Sequence, residues 1–209
     1  MSASLPTDIW PKEKQSGKDH CQHERHARRI RTGPGWAGGY PVGGWFGEYG
    51  GADLAVWAKV EFEEAQHTDA CLLGRRSDEW FASRWASRDD EWANKLNSLP
   101  KYVVSSTLED AKWTNSTVLE GDVVESVSNL NEHLDGEIVV YASYQLVRTL
   151  IEHDLVDEFR LFVFPVLLGG GQRLFAEASE KTSLRLVKTS TVGEGLVFVN
   201  YEVTHRATV

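Results

Sequence analysis

The chain has 209 residues, enough for one α/β domain with a sizeable core, and its 41% hydrophobic and 25% charged content is that of an ordinary globular protein. A formal net charge of −9 argues against nucleic acid as the main partner. No apolar run reaches the roughly eighteen residues that span a bilayer, and no charged-then-apolar segment opens the chain, so a cytoplasmic location without membrane contact is expected.

Residues 11–34 are crowded with Lys, Arg, His and Gln and lack apolar periodicity, so residues 1–34 are expected to be an unstructured basic tail. His20, Cys21, His23 and His26 put four potential metal ligands into seven residues, but no second pair follows at a zinc spacing, and no metal is expected. Residues 34–51 are rich in glycine, with Trp36, Trp45, Phe46 and Tyr49 between. They read as a loop whose aromatics either cover a ligand or merely pin it. Apolar residues near helical spacing (Leu54, Trp57, Ala58, Phe62, Ala65) predict a helix over 53–65, followed by a short buried strand at 70–74. Cys71 lies in that apolar run and reads as a small buried hydrophobe; with Cys21 it makes no disulfide framework. Helical stretches follow around Trp80–Trp85 and Trp92–Leu96, then a strand at 101–106 and a helix at 123–134 closed by Asp135–Gly136.

The C-terminal third is the most informative stretch. Residues 139–150 read as a strand, a turn of small residues and an amphipathic helix; residues 155–175 add another strand and the cluster Gly169–Gly170–Gly171. Repeated strand–helix–strand order calls for a largely parallel sheet with helices on both faces. Residues 183–192 and 196–203 instead alternate around a short glycine turn, which predicts an antiparallel hairpin.

Strands that end in small residues and open onto a helix N-terminus suit a diphosphate, because backbone N–H groups and the helix dipole both favour an anion there. Three junctions qualify: Gly74–Arg75–Arg76–Ser77, Ser105–Ser106–Thr107, and Ala142–Ser143–Tyr144–Gln145–Leu146. Arginines at a helix start oppose the dipole, which favours a phosphate role for Arg75 and Arg76 over a solvated basic turn. The third junction could equally be the capped start of a core helix.

These segments resemble the C-terminal reductase domain of the riboflavin-biosynthesis protein RibD, a branch of the dihydrofolate reductase superfamily. The first junction resembles Gly-Arg-Arg-Thr and the second Ser-Arg-Thr-Leu. The third resembles Gly-Ser-x-x-Leu, and 165–171 resembles Pro-Val-x-Leu-Gly-Gly-Gly. Asp157 and Glu158 resemble Val-Asp-Glu, where a capping or strand-entry role is expected. The resemblance covers roughly 43–204 and implies a three-layer dihydrofolate reductase-like α/β fold, with a mostly parallel mixed sheet, helices on both faces and a C-terminal antiparallel hairpin. It implies a homodimer and an NAD(P)H-dependent reductase similar to the 5-amino-6-(5-phosphoribosylamino)uracil reductase, passing hydride to a small heterocyclic or sugar-derived molecule. NADPH is the expected cofactor, with NADH the other candidate. Arg75, Arg76 and Ser77 would bind phosphate, Ser105–Thr107 the adenosine end, and Ala142–Leu146 the diphosphate.

Two departures support an alternative, a fold homologue that has lost its cofactor site. Ala142 stands in place of a glycine, and Ser106 in place of a basic residue. The family's opening strand, similar to Val-Ser-Met-Asn-Val-Ser-Leu-Asp-Gly, is also missing. Residues 17–33 read one base later, with the free third codon positions chosen, give Ala-Arg-Ile-Ile-Val-Ser-Met-Asn-Val-Thr-Leu-Asp-Gly-Phe-Val-Gln. A wrong-frame N-terminus, with the correct frame resuming near Gly35, is therefore a further expectation.

Overall fold

The computed structural model describes residues 28–31, 45–168, 174–175 and 181–204. In chain order these form β1 (Arg28–Arg31), α1 (Trp45–Gly50), α2 (Asp53–Gln66), β2 (Ala70–Gly74), α3 (Arg75–Trp85), α4 (Glu91–Ser98), β3 (Lys101–Val104) and β4 (Ser116–Leu119). There follow α5 (Val123–His133), β5 (Ile138–Tyr141), α6 (Tyr144–Glu152), β6 (Glu158–Val163), β7 (Ser183–Val192) and β8 (Leu196–Thr204).

The strands build one eight-stranded sheet in the order β4-β3-β2-β5-β1-β6-β8-β7. From β4 to β6 every pairing is parallel; β8 then runs antiparallel to β6, and β7 antiparallel to β8. This is the expected mixed sheet with a C-terminal hairpin. The hairpin turn carries Gly193 at φ +66, the left-handed region where a side chain is strained, and Asp53 at the start of α2 accepts from Glu194 N–H and Gly195 N–H, both at 2.8 Å.

The two sides of the sheet can be read from alternation along β2 and β5. Ala70, Leu72, Ile138 and Val140 face one core with Val127 of α5 and Leu146, Val147 and Leu150 of α6. Cys71, Leu73, Val139 and Tyr141 face the other, with Ala65 of α2, Phe81 and Trp85 of α3, and Ala93 and Leu96 of α4. Both strands are therefore covered on both faces, which is why they read as continuous apolar runs and not as alternating ones. A third cluster, Val192, Leu196 and Phe198 with Trp57, Val60, Phe162 and Phe164, seats the hairpin on α2.

Helix ends follow their caps. Asp90 accepts from Ala93 N–H at 3.1 Å to start α4, and Asp122 accepts from Val124 and Glu125 N–H at 2.9 and 3.0 Å to start α5. Three elements were not foreseen. β4 is a short, half-polar strand that, among the described residues, pairs with β3 alone. α1 lies within the segment expected to be a loop, because Trp45 and Phe46 anchor it on Phe164 (centroids 5.0 and 5.4 Å) and Phe46 meets Trp57 at 5.0 Å. Of the two roles open to the aromatics, packing holds for this pair; Trp36 lies outside the described residues, as do Gly169–Gly171 and the His20–His26 group. β1 falls inside the expected basic tail. Its four residues take strand form because β5 and β6 each leave an edge that must be paired.

Candidate functional site

Six parallel strands end on the same side of the sheet, and in such sheets ligands bind beyond the carboxyl ends where the strand order reverses. The chain moves outward from β1 through β2, β3 and β4, then returns to insert β5 between β2 and β1. The β2–α3 and β5–α6 junctions are therefore neighbours at the reversal.

They are joined by one hydroxyl. Ser143 Oγ accepts from Gly74 N–H at 3.0 Å and lies 2.8 Å from Ser77 Oγ and 3.0 Å from the Tyr141 carbonyl. A serine has a single proton to give. The carbonyl can only accept, so Ser143 donates to Tyr141 and accepts from Ser77 and Gly74. Three sequence-predicted residues, Gly74, Ser77 and Ser143, are thus brought into direct contact.

That arrangement leaves both helix starts without a side-chain cap. Ser77 does not cap α3: the N-cap is Gly74, which makes no side-chain cap bond, and Ser77 lies in the first turn. Ser143 occupies the N-cap of α6 but makes no bond to its first turn, its hydroxyl being spent across the junction. Both helices therefore begin with N–H groups that no side chain at the N-cap satisfies.

The backbone at the second junction is strained. Ala142 and Ser143 both lie at positive φ, 53° and 50°. Consecutive left-handed residues without glycine cost on the order of 1–2 kcal/mol each. Such strain persists where surrounding contacts over-determine it, and here the Ser143 hydroxyl supplies them. At Gly74 the space is open: a methyl group there would meet only Ser143, with its Oγ at 3.7 Å, which is ordinary contact. The fold itself does not demand glycine at that position.

Arg75 and Arg76 are exposed on the first turn of α3, and Arg75 is 3.9 Å from Glu79 in a loose surface pair. The first turn is itself fixed in place. Asp78 is fully buried and accepts from Lys112 N–H at 2.6 Å, Trp113 N–H at 3.2 Å and Ser116 Oγ at 3.4 Å, tying α3 to the segment that enters β4. Nothing in the sequence marked Asp78 beforehand; an acidic residue one position after the Arg-Arg-Ser run was the available signal. Ser105 closes its own turn by accepting from Thr107 and Leu108 N–H at 3.2 and 3.1 Å, leaving Ser106 and Thr107 exposed beyond β3, one strand from Gly74. Gln145 is exposed, and Tyr144 lies under the Arg148 guanidinium at 5.5 Å. Leu146 is buried in the sheet-facing core, so its side chain holds α6 and only its backbone is available to a ligand.

Lys101, at the start of β3, is a buried cation with three carbonyl partners, Asn97, Leu99 and Thr114 at 3.2, 2.8 and 2.9 Å, and the Trp113 ring at 4.6 Å. Burial pushes its pKa down from the usual 10.5 to about 8. It lies at the opposite end of β3 from the junctions and is structural. Among the described residues no group of His, Cys, Asp and Glu is placed to hold a metal ion, and no helix is long and apolar enough to cross a membrane.

This geometry agrees with what the chain is similar to. It is 30% identical over 138 residues to the uncharacterized protein YyaP of Bacillus subtilis strain 168, covering 64% of this chain and 73% of that one. Its fold matches a provisionally assigned riboflavin biosynthesis protein of Shewanella sp. PV-4 with a TM-score of 0.64 at 20% identity, over 86% of this chain and 99% of the other. It also matches the Enterococcus faecalis dihydrofolate reductase complexed with NADP(H) and RAB-propyl, with a TM-score of 0.54 at 15% identity, over 86% and 97% of the two chains. The family model of the RibD C-terminal domain matches residues 34–198, well over half of the sequence, and the chain belongs to that family of reductase-like domains.

Proposed function

We propose that the protein is a nicotinamide-dependent reductase that passes hydride to a small heterocyclic or sugar-derived molecule, of the kind reduced in riboflavin synthesis, with NADPH as the donor. One observation carries the reading. Gly74, Ser77 and Ser143 lock two helix N-termini side by side at the strand reversal, beside the exposed Arg75 and Arg76. Together these offer backbone donors and two guanidinium groups to a diphosphate.

The donor set fits such a group. Gly74 leaves room for close approach, the first turns of α3 and α6 would contribute N–H groups, and Arg75 and Arg76 would add charge; Ser106 and Thr107, exposed beyond β3, would meet the adenosine end. When bound, the nicotinamide supplies the hydride. The chain's own task is to clamp and orient it, since hydride transfer asks little acid–base chemistry of the protein. Ala142, standing where the resemblance calls for glycine, is the poorest element of the fit. It supports a second reading, a member that keeps the fold without binding cofactor. Titration with NADPH, followed by nicotinamide fluorescence, separates the two: saturation below millimolar cofactor supports the reductase, and no binding at millimolar cofactor refutes it.

We further propose a cytoplasmic homodimer. The edge strand β7 is long and leaves Leu184, Leu186 and Val187 about half exposed, the kind of edge that pairs unless covered. A two-fold contact between C-terminal hairpins would bury it. Light scattering at micromolar concentration tests this, and a mass near 23.5 kDa, that of one chain, would reject it.

A further inference from the structure

Strand β1 lies inside the sheet, and its sequence is one that central parallel strands do not use. β1 pairs in parallel with β5 on one side and β6 on the other, registering Arg31 with Tyr141 and with Arg160. Its neighbour β5 is Ile-Val-Val-Tyr and buried throughout. Strands in this position are near-continuous apolar runs, because each ion moved out of water there costs several kcal/mol unless it is paired. β1 reads Arg-Arg-Ile-Arg. The match to the family begins only at residue 34, after the strand that the sheet requires.

The genetic code offers another strand from bases just upstream, those that encode residues 19–23. Reading one base later turns the second base of each codon into a first base and the free third base into a middle one. The first base of the next codon becomes the last. For Asp19-His20-Cys21-Gln22-His23 each new codon is confined to two residues, whichever third bases were used. The five codons become Ile or Thr, Ile or Thr, Val or Ala, Asn or Ser, and Met or Thr. None can be charged, and the run is rich in β-branched residues that suit a strand. Continuing in that frame allows Leu-Asp-Gly, a turn, at positions 27–29.

We infer that residues 17–33 are an out-of-frame reading of DNA that encodes an uncharged central strand, and that a single-base difference between codons 32 and 35 joins that strand to the rest of the chain. The inference does not depend on cofactor binding, so its failure would leave the reductase reading standing. Its test is the genomic sequence across codons 10–50 of the source organism, together with the intact mass of the protein purified from that source. The expected result is one inserted or deleted base in codons 32–35 and a mass that differs from the 23.5 kDa chain by the changed N-terminal residues. A single uninterrupted frame through codon 50, with the mass of the sequence as it stands, would overturn it.

Discussion

Replacing Ala142 by glycine perturbs the candidate site in a direction that ordinary core reasoning would not give. Ala142 sits at φ 53°, where a Cβ is crowded against the backbone. Relief of that crowding is worth on the order of 1–2 kcal/mol, and glycine gives back about 0.4–1 kcal/mol through the freer unfolded chain. The balance is a stabilisation of about 0.5–1 kcal/mol. With a urea slope on the order of 2 kcal/mol/M, the midpoint should rise by about 0.3–0.5 M. Ser143→Gly relieves similar strain at φ 50° but removes the hydroxyl that receives Gly74 N–H and Ser77. It should therefore lower the midpoint, since each buried donor left unpaired costs about 1–3 kcal/mol. The assay is a pair of urea titrations read by tryptophan fluorescence. A lower midpoint for Ala142→Gly, or equal stabilisation by both variants, would refute the claim that strain at 142 is held in place by Ser143. The same Ala142→Gly variant should bind NADPH more tightly than the parent, and binding found only in the variant would favour the non-catalytic reading.

Other expectations follow from single contacts. Asp78→Ala removes the acceptor of two backbone N–H groups and should cost about 2–5 kcal/mol in urea unfolding, while Asp78→Asn, which keeps one acceptor, should cost less. Asp53→Ala frees the β7–β8 turn and should lower stability by about 1 kcal/mol, with amide exchange rising at Glu194 and Gly195. Lys101 holds its proton less tightly folded, at a pKa of about 8, than unfolded, at 10.5. Between those values the unfolded chain binds more protons, so this group makes stability rise as pH climbs from about 8 to about 10.5. Urea midpoints of the wild type at several pH values should show that rise, and Lys101→Met should lack it.

Strands β2 and β5 were legible because their burial is nearly complete. β2 and β5, covered on both faces, had to be apolar runs, and α5 carried both its Asp122 cap and its closing glycine. β4 was not legible, since a four-residue edge strand with one neighbour needs little hydrophobicity. α1 was hidden by its glycines; what fixes it is contact with Phe164, more than a hundred residues away. At the site, residue types at the strand ends marked Gly74, Ser77 and Ser143, but their roles depend on a hydroxyl reaching between adjacent strands, which spacing along the chain cannot express. Asp78 was missed for the same reason: its partners lie 34 to 38 residues away.

The central claim is that the locked junctions of β2 and β5 hold a nicotinamide dinucleotide. NADPH titration of the protein purified from its source, compared with an Arg75→Ala/Arg76→Ala double variant, tests it most directly. Saturable enhancement of nicotinamide fluorescence below millimolar cofactor, weakened about tenfold or more when both charge-assisted contacts are removed, is the predicted result. No binding at millimolar NADPH, or equal affinity in the double variant, would contradict it.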